Sequence, residues 1–418
     1  MKIRKDAKIT ISLYDIFALL IILFPIGGLF GGVLTYYDEL IGAVSFVYIW
    51  ILAFMGKIEK KCFRIMMALT AVTAIGFISN FVSGLLKEPF PIVVDALWLW
   101  KTFATFIAFA HLMKKDHVRK RVIKSLTLPA KFAIIALFVL CLVGQVINIG
   151  VVGSDTILGL NVFGFFWNNG IMTGWLGFCS LMILSLSDLS RNKFLLYTFM
   201  LFVPLILTKS SLVYCFMLCV ILLGIMYRKD DKFKVHYLIP VAVVVAVFSW
   251  SDIQYYFLTD SSVRKELIIK GAEVANMYFP LGSGFATYGS DMAQRYYSKL
   301  YDMFGWRDSW AFGVDSTFLN DNFFASIIGQ FGWIGFAIYL YALYTLFTMV
   351  NSKLVKKRVK ITAVSTVLTM VVVMVGSASV KSIMGICTFA VLGIVFAEIN
   401  SATQAKKAAE SELVCKDG

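Results

Sequence analysis

The chain has 418 residues, 59% of them apolar and only 15% charged, with a mean hydropathy of +0.81. Soluble domains are about 45–50% apolar and about 25% charged, so the composition excludes a soluble enzyme, a disordered chain and a nucleic-acid binder. It leaves an all-α polytopic membrane protein, whose formal charge of +14 has to be explained by where its 39 basic and 25 acidic residues sit.

A membrane-spanning helix needs about 20 mostly apolar residues. Twelve such spans are predicted, at roughly 11–34, 40–56, 65–86, 91–113, 130–152, 165–187, 194–208, 211–227, 235–250, 323–350, 361–376 and 382–398. The first is no cleaved signal peptide: it is too long, it holds Asp15 and Pro25, and no small-residue cleavage site follows. The fourth carries Asp95 and Lys101. Charges at that depth face an interior or cavity, pair with each other, or snorkel to an interface. The seventh and eighth meet at Thr208-Lys209-Ser210, as a tight hairpin or a broken helix. The organisation is then 1–250 with spans one to nine, a long connection at 251–322, spans ten to twelve over 323–398, and a tail at 399–418.

With both termini inside, the seven cytoplasmic segments carry 29 of the 39 basic residues. Basic residues in short loops set orientation, and the alternation holds along the whole chain. The positive excess is therefore a topogenic signal facing anionic membrane lipid, with no nucleic acid implied. The cysteines Cys62, Cys141, Cys179, Cys215, Cys219, Cys387 and Cys415 all fall in spans or inner segments, which argues against a disulfide framework. Cys215 and Cys219, at i and i+4, have no His or carboxylate beside them and read as packing residues. His111, His117 and His236 all lie on the inner side.

Segment 251–322 is the long polar stretch between spans, and the topology places it outside. Loops of this length are usually functional. From 251 to 315 it interleaves Arg264, Lys265, Lys270, Arg295, Lys299 and Arg307 with eight carboxylates and with aromatics such as Tyr255, Tyr256, Tyr288, Tyr296, Tyr297, Tyr301, Trp306 and Trp310. Mixed charge and flat rings suit sugar recognition, through hydroxyl bonds and stacking. An interfacial aromatic belt is the plainer account of part of the set. Within the segment, Ser261 or Ser262 is placed to cap a helix with Glu266 in its first turns. A turn follows at Pro280-Leu281-Gly282-Ser283-Gly284. Asp321 and Asn322 open the next helix, capped by Asp315 or Asn320, and Gly329, Gly332 and Gly335 allow close helix contact.

This ordered set resembles the signature of the O-antigen ligase and polymerase superfamily, the Wzy-type polysaccharide polymerases. That pattern has an Arg opening a helix (here Arg264), an aromatic-Pro-Leu-Gly-x-Gly turn (280–284), His-Asn or Asp-Asn (Asp321-Asn322), and Gly-x-x-Gly in the next span (Gly332 to Gly335). The long outer loop before the last three spans agrees with it. The motif covers about 75 residues. The chain departs from the pattern in two places. Asp321 stands where ligases carry His, and with no His on the outer side a His-based mechanism is excluded, which leans toward a polymerase. Thr208-Lys209-Ser210-Ser211 lacks an Arg that the family often has there, and Lys209 differs from Arg in geometry. Asn168-Asn169-Gly170 resembles an Asn-rich family position only loosely.

The resemblance implies a fold like the GT-C-type membrane glycosyltransferases. It also implies inverting transfer from an undecaprenyl-pyrophosphate-linked oligosaccharide, without cofactor or metal; no DxD-like pair is evident in the loop. Arg264 is the first candidate for the leaving pyrophosphate and Lys209 the second, with Lys265, Arg295 and Arg307 in reserve. Asp321 is the candidate base for the acceptor hydroxyl, and Asp315 its rival; both also have helix-capping readings. Gly282, Gly284, Tyr288 and Asn322 belong to the expected substrate loop. A flippase and a chain-length regulator are expected partners. The competing expectations are a ligase that transfers finished glycan to a lipid or wall acceptor, a flippase-like transporter, and a membrane scaffold.

Overall fold

The computed structural model describes residues 37–147, 149–157, 159–164, 170–227, 238–248, 250–259, 262–352 and 355–416. The predicted span at 11–34, Asn168-Asn169, Ser261 and His236 lie outside them. The structure is 76% helical and nearly all-α. Among the described residues, seven helices are long and apolar enough to cross a membrane: α1 (Tyr37–Phe54), α2 (Lys60–Ser83), α3 (Pro89–Leu112), α4 (Asp116–Val146), α12 (Phe323–Val350), α13 (Lys357–Gly376) and α14 (Ile383–Lys416), the last through its Ile383–Lys406 portion. The chain is a multi-pass membrane protein by that measure.

Four predicted spans correspond to helices of 17 residues or fewer among the described residues. These are α5 (Gly170–Leu186), α6 (Arg191–Ile206), α7 (Ser211–Met226) and α8 (Leu238–Phe248). At 1.5 Å per residue they run about 17–26 Å, against a hydrocarbon core of about 30 Å. Thr208-Lys209-Ser210 forms a tight turn between α6 and α7, with Lys209 at φ +52°. Between α4 and α5 the chain also forms an antiparallel hairpin, β1 (Val152–Ile157) and β2 (Leu160–Phe163). The Gln145 side chain clamps Asn161 through both of its backbone groups (2.7 and 2.9 Å).

Helix α3 is the central strut. It starts with Pro89 in its first turn, where a missing N–H costs nothing. Its apolar window is 83% buried, mainly between α1 and α14. At one end of the bundle, Arg358 of α13 donates to the carbonyls of Ser185, Ser187 and Leu189. It thereby satisfies acceptors that the end of α5 leaves open.

Segment 251–322 is a folded unit. It contains a one-turn helix (Trp250–Ile253), a π-type turn (Gln254–Leu258), α9 (Val263–Met277), α10 (Asp291–Arg295) and α11 (Lys299–Met303). Its own core joins Leu267, Val274, Tyr288, Leu300, Tyr301, Trp306, Phe312 and Leu319. Trp306 stacks between Tyr301 (5.7 Å) and Phe312 (4.2 Å). About half of the rings expected to meet sugar or lipid headgroups thus fill an interior.

Candidate functional site

The glycine-rich part of the motif is buried. Residues 282–290 are irregular backbone with no exposed position, threaded between α2, α3, α9 and α12. Backbone buried in this way needs a partner for each polar group. Helix α12 breaks at Gly332 (φ +63°, ψ −172°). The carbonyls of Gly329 and Gln330, just before the break, accept from the N–H groups of Ser283 (3.0 Å) and Gly284 (2.8 Å). Asn80 of α2 grips Phe285 on both sides: its amide donates to the carbonyl at 2.9 Å, and its oxygen accepts the N–H at 2.7 Å. Asp95 of α3 accepts the N–H of Ala286 at 2.7 Å. Ser79 donates to Leu281 and Ser83 to Ser283.

Three glycines are required by these approaches. A Cβ at Gly332 would lie 2.6 Å from the carbonyl oxygen of Pro280, and one at Gly284 would lie 2.6 Å from the backbone nitrogen of Asn80. A Cβ at Gly282 would collide with the Gly332 backbone nitrogen, so Gly282 pins the turn to the helix break while Gly284 pins it to α2. Tyr288 is fully buried and its hydroxyl donates to the Leu267 carbonyl (2.6 Å), so it offers no ring face to a ligand. Asn322 is buried too. Its oxygen caps α12 by accepting from Ala325 N–H (2.9 Å), and its amide donates to the Val375 carbonyl (2.7 Å). The cap is Asn322 rather than Asp315 or Asn320: Asp315 is exposed, and Asn320 donates to Asp291.

The charged part of the motif lies at the edge of this packing. Ser262 caps α9 by accepting from Lys265 N–H, and its hydroxyl donates to the Tyr256 carbonyl. These two hydrogen bonds tie the π-type turn to the helix start. They set the Tyr256 ring 3.9 Å from the Arg264 guanidinium, a cation–π contact. Arg264 in turn meets Asp321, the residue before the α12 cap. Its Nε (3.2 Å) and Nη2 (3.1 Å) both donate to Oδ2. Among the described residues, Asp321 Oδ1 and Arg264 Nη1 have no hydrogen-bond partner. The Arg264 and Asp321 side chains stay 20% and 32% exposed, respectively. Burial pushes the Asp321 carboxyl up from its ordinary value, and the Arg264 charge opposes that rise without cancelling it.

The other candidate cations do not join this pair. Lys209 bonds Asp155 of the hairpin at 2.9 Å, exposed. Lys265 sits one residue beyond Arg264, half-buried, and Arg295 is exposed at the end of α10. Arg307 is held by Asp302 (2.7 and 2.9 Å). One further cation comes from an unexpected place. Lys381, in the 3₁₀ turn Ser379–Lys381 between α13 and α14, stands 5.1 Å from the Phe323 ring, two residues beyond Asp321. A lone lysine in a short connection between two apolar segments was its signal in the sequence. Asn80, a lone amide inside an apolar span, was a comparable signal for the grip on the turn. Asp95 and Lys101 do not pair with each other. Lys101 bonds Asp38 at 2.8 Å, and Asp95 serves the turn.

Among the described residues, no group of three or more His, Cys, Asp or Glu stands close enough together to hold a metal ion. No protein-family model and no curated protein matches the chain.

Proposed function

We propose that the protein is a membrane glycosyltransferase that polymerises undecaprenyl-pyrophosphate-linked oligosaccharide repeat units on the outer face of the bacterial cytoplasmic membrane. The Arg264–Asp321 pair carries this reading. Among the described residues no partner takes Asp321 Oδ1 or Arg264 Nη1, which leaves the one to accept a proton and the other to meet an oxyanion. In the reaction an acceptor sugar hydroxyl attacks the anomeric carbon of the lipid-linked donor. Its proton passes to Asp321, the bond from that carbon to the pyrophosphate oxygen breaks, and lipid pyrophosphate leaves with the electron pair. The C–O bond formed replaces the C–O bond broken, with inversion. Arg264 stabilises the leaving charge through charge-assisted bonds of about 1.5–3 kcal/mol. Lys381 is better placed than Lys209 to be the second cation, because it flanks the segment that carries Asp321.

The raised Asp321 carboxyl suits a general base, since bases work best with a pKa near the working pH. Fixed cations serve this reaction without a metal. Twelve spans, inner termini and an outer 251–322 unit would place the pair at headgroup depth, where a lipid-linked pyrophosphate sits. Trp310, 78% exposed beside Phe318, is the ring best placed to stack on sugar. A second reading, a carrier for lipid-linked sugars, draws on the Lys101–Asp38 ion pair buried inside the spans, since such charges mark transport routes. Purified protein incubated with lipid-linked repeat units separates the two readings. A polymerase gives a ladder of lengthening products; a carrier leaves every unit single.

A further inference from the structure

At the end of α3 away from the 251–322 unit lies a cavity of about 250 Å³. Helix α3 has 24 residues, so the cavity is about 36 Å from the start of that helix and independent of the site described above. Three elements wall it: the α1–α2 connection with Lys57 and Glu59, the end of α3 with His111 and Lys114, and the middle of α14 with Asn400 and Ser401. Its volume is below the roughly 300–1,000 Å³ of pockets that enclose drug-sized ligands. An oligosaccharide or a nucleotide is therefore too large, whereas a phosphate with a short polar substituent suits it.

The wall is positively biased. Among the described residues, neither the Lys57 nor the Lys114 ammonium is in an ion pair. Glu59, the one carboxylate in the wall, accepts from the Asn400 amide, and burial pushes its carboxyl up. Exposed apolar side chains lie within three residues of the two lysines along the chain: Phe54 and Met55 before Lys57, and Leu112 before Lys114. A phosphate held between the two lysines would thus have greasy surface beside it for acyl chains. A freely diffusing anion has no use for that surface.

We propose that this cavity is a binding site for the headgroup of an anionic phospholipid, with Lys57 and Lys114 on its phosphate and Asn400 and Ser401 on its polar substituent. Bound there, one lipid would join the α1–α2 connection, α3 and α14.

The test is native mass spectrometry of the full-length protein in detergent, titrated with phosphatidylglycerol or with phosphatidylcholine. The expected result is one phosphatidylglycerol retained per chain, with phosphatidylcholine at least tenfold weaker. Two variants should each lose at least tenfold in retention: Lys57→Ala with Lys114→Ala, which removes the charge, and Ser401→Phe, which fills the space. Size-exclusion profiles establish that both variants fold. Equal retention of the two lipids, or retention unchanged in either folded variant, would overturn the proposal. So would a single site saturated by inorganic phosphate in the absence of any lipid preference.

Discussion

The two halves of the motif behave as opposites. The stretch 282–290 is buried, and its turn glycines and backbone groups are committed to α2, α3 and α12. Arg264 and Asp321 are partly exposed and only partly committed: each keeps one polar atom without a protein partner among the described residues. Glycines and amides thus build the frame, and the proposed function assigns the chemistry to the charged pair. The contrast makes a firm demand. Changes in the thread should cost stability, and changes in the pair should cost turnover while the fold survives.

The largest stability effect is expected at Gly332→Ala. It forces a side chain into a left-handed conformation and within 2.6 Å of the Pro280 carbonyl, a loss of about 3 kcal/mol or more. Thermal unfolding followed by size exclusion measures it. Asn80→Ala comes next. It strips both partners from buried Phe285, which costs about 1–3 kcal/mol for each group left unsatisfied. A melting temperature unchanged in both variants would show that the thread is no frame.

Arg264→Lys should be of the next size, on the other side of the contrast. It keeps the charge but loses the forked donors and the planar contact with Tyr256. Chain extension should fall roughly 10–100-fold, matching about 1.5–3 kcal/mol, with melting unchanged. The pair also predicts a pH dependence. Asp321 must be unprotonated to act, and burial has raised its carboxyl, so activity should be lost on acidification above the ordinary aspartate range. Arg264 holds that value down, so in Arg264→Gln the acid limb of the residual activity should move to higher pH. A move to lower pH would break the assignment. The smallest effect is expected for Trp310→Ala, about 0.5–1.5 kcal/mol, read as weaker substrate saturation at an unchanged maximal rate.

Much of this was legible in the chain before any coordinates. The span predicted at 323–350 coincides with Phe323–Val350, because a long, mostly apolar run with a polar cap leaves little freedom. Arg264 and Asp321 stand out as a cation and a carboxylate next to helix starts, and the fold brings them together across 57 positions. Less legible was which apolar segments cross the membrane. A hydropathy window reads buried and spanning helices alike, and at α5 and α8 it gave runs longer than the helices among the described residues. The aromatics of 251–322 misled for a similar reason: Tyr301, Trp306 and Phe312 have the composition of a sugar platform and the positions of a core. The identity of the α12 cap was hidden too, since Asp315, Asn320, Asp321 and Asn322 can all cap a helix. Only Asn322 points its side chain at the Ala325 N–H.

The central claim rests on Asp321, and the most direct test is the isosteric Asp321→Asn variant. The purified variant is assayed on lipid-linked repeat units beside the unaltered protein, with melting temperatures taken in parallel. General-base catalysis is worth about 10²–10⁴-fold. The account predicts that the product ladder collapses to single units by that factor while the melting temperature stays within a degree or so. A ladder that grows at the unaltered rate would contradict it.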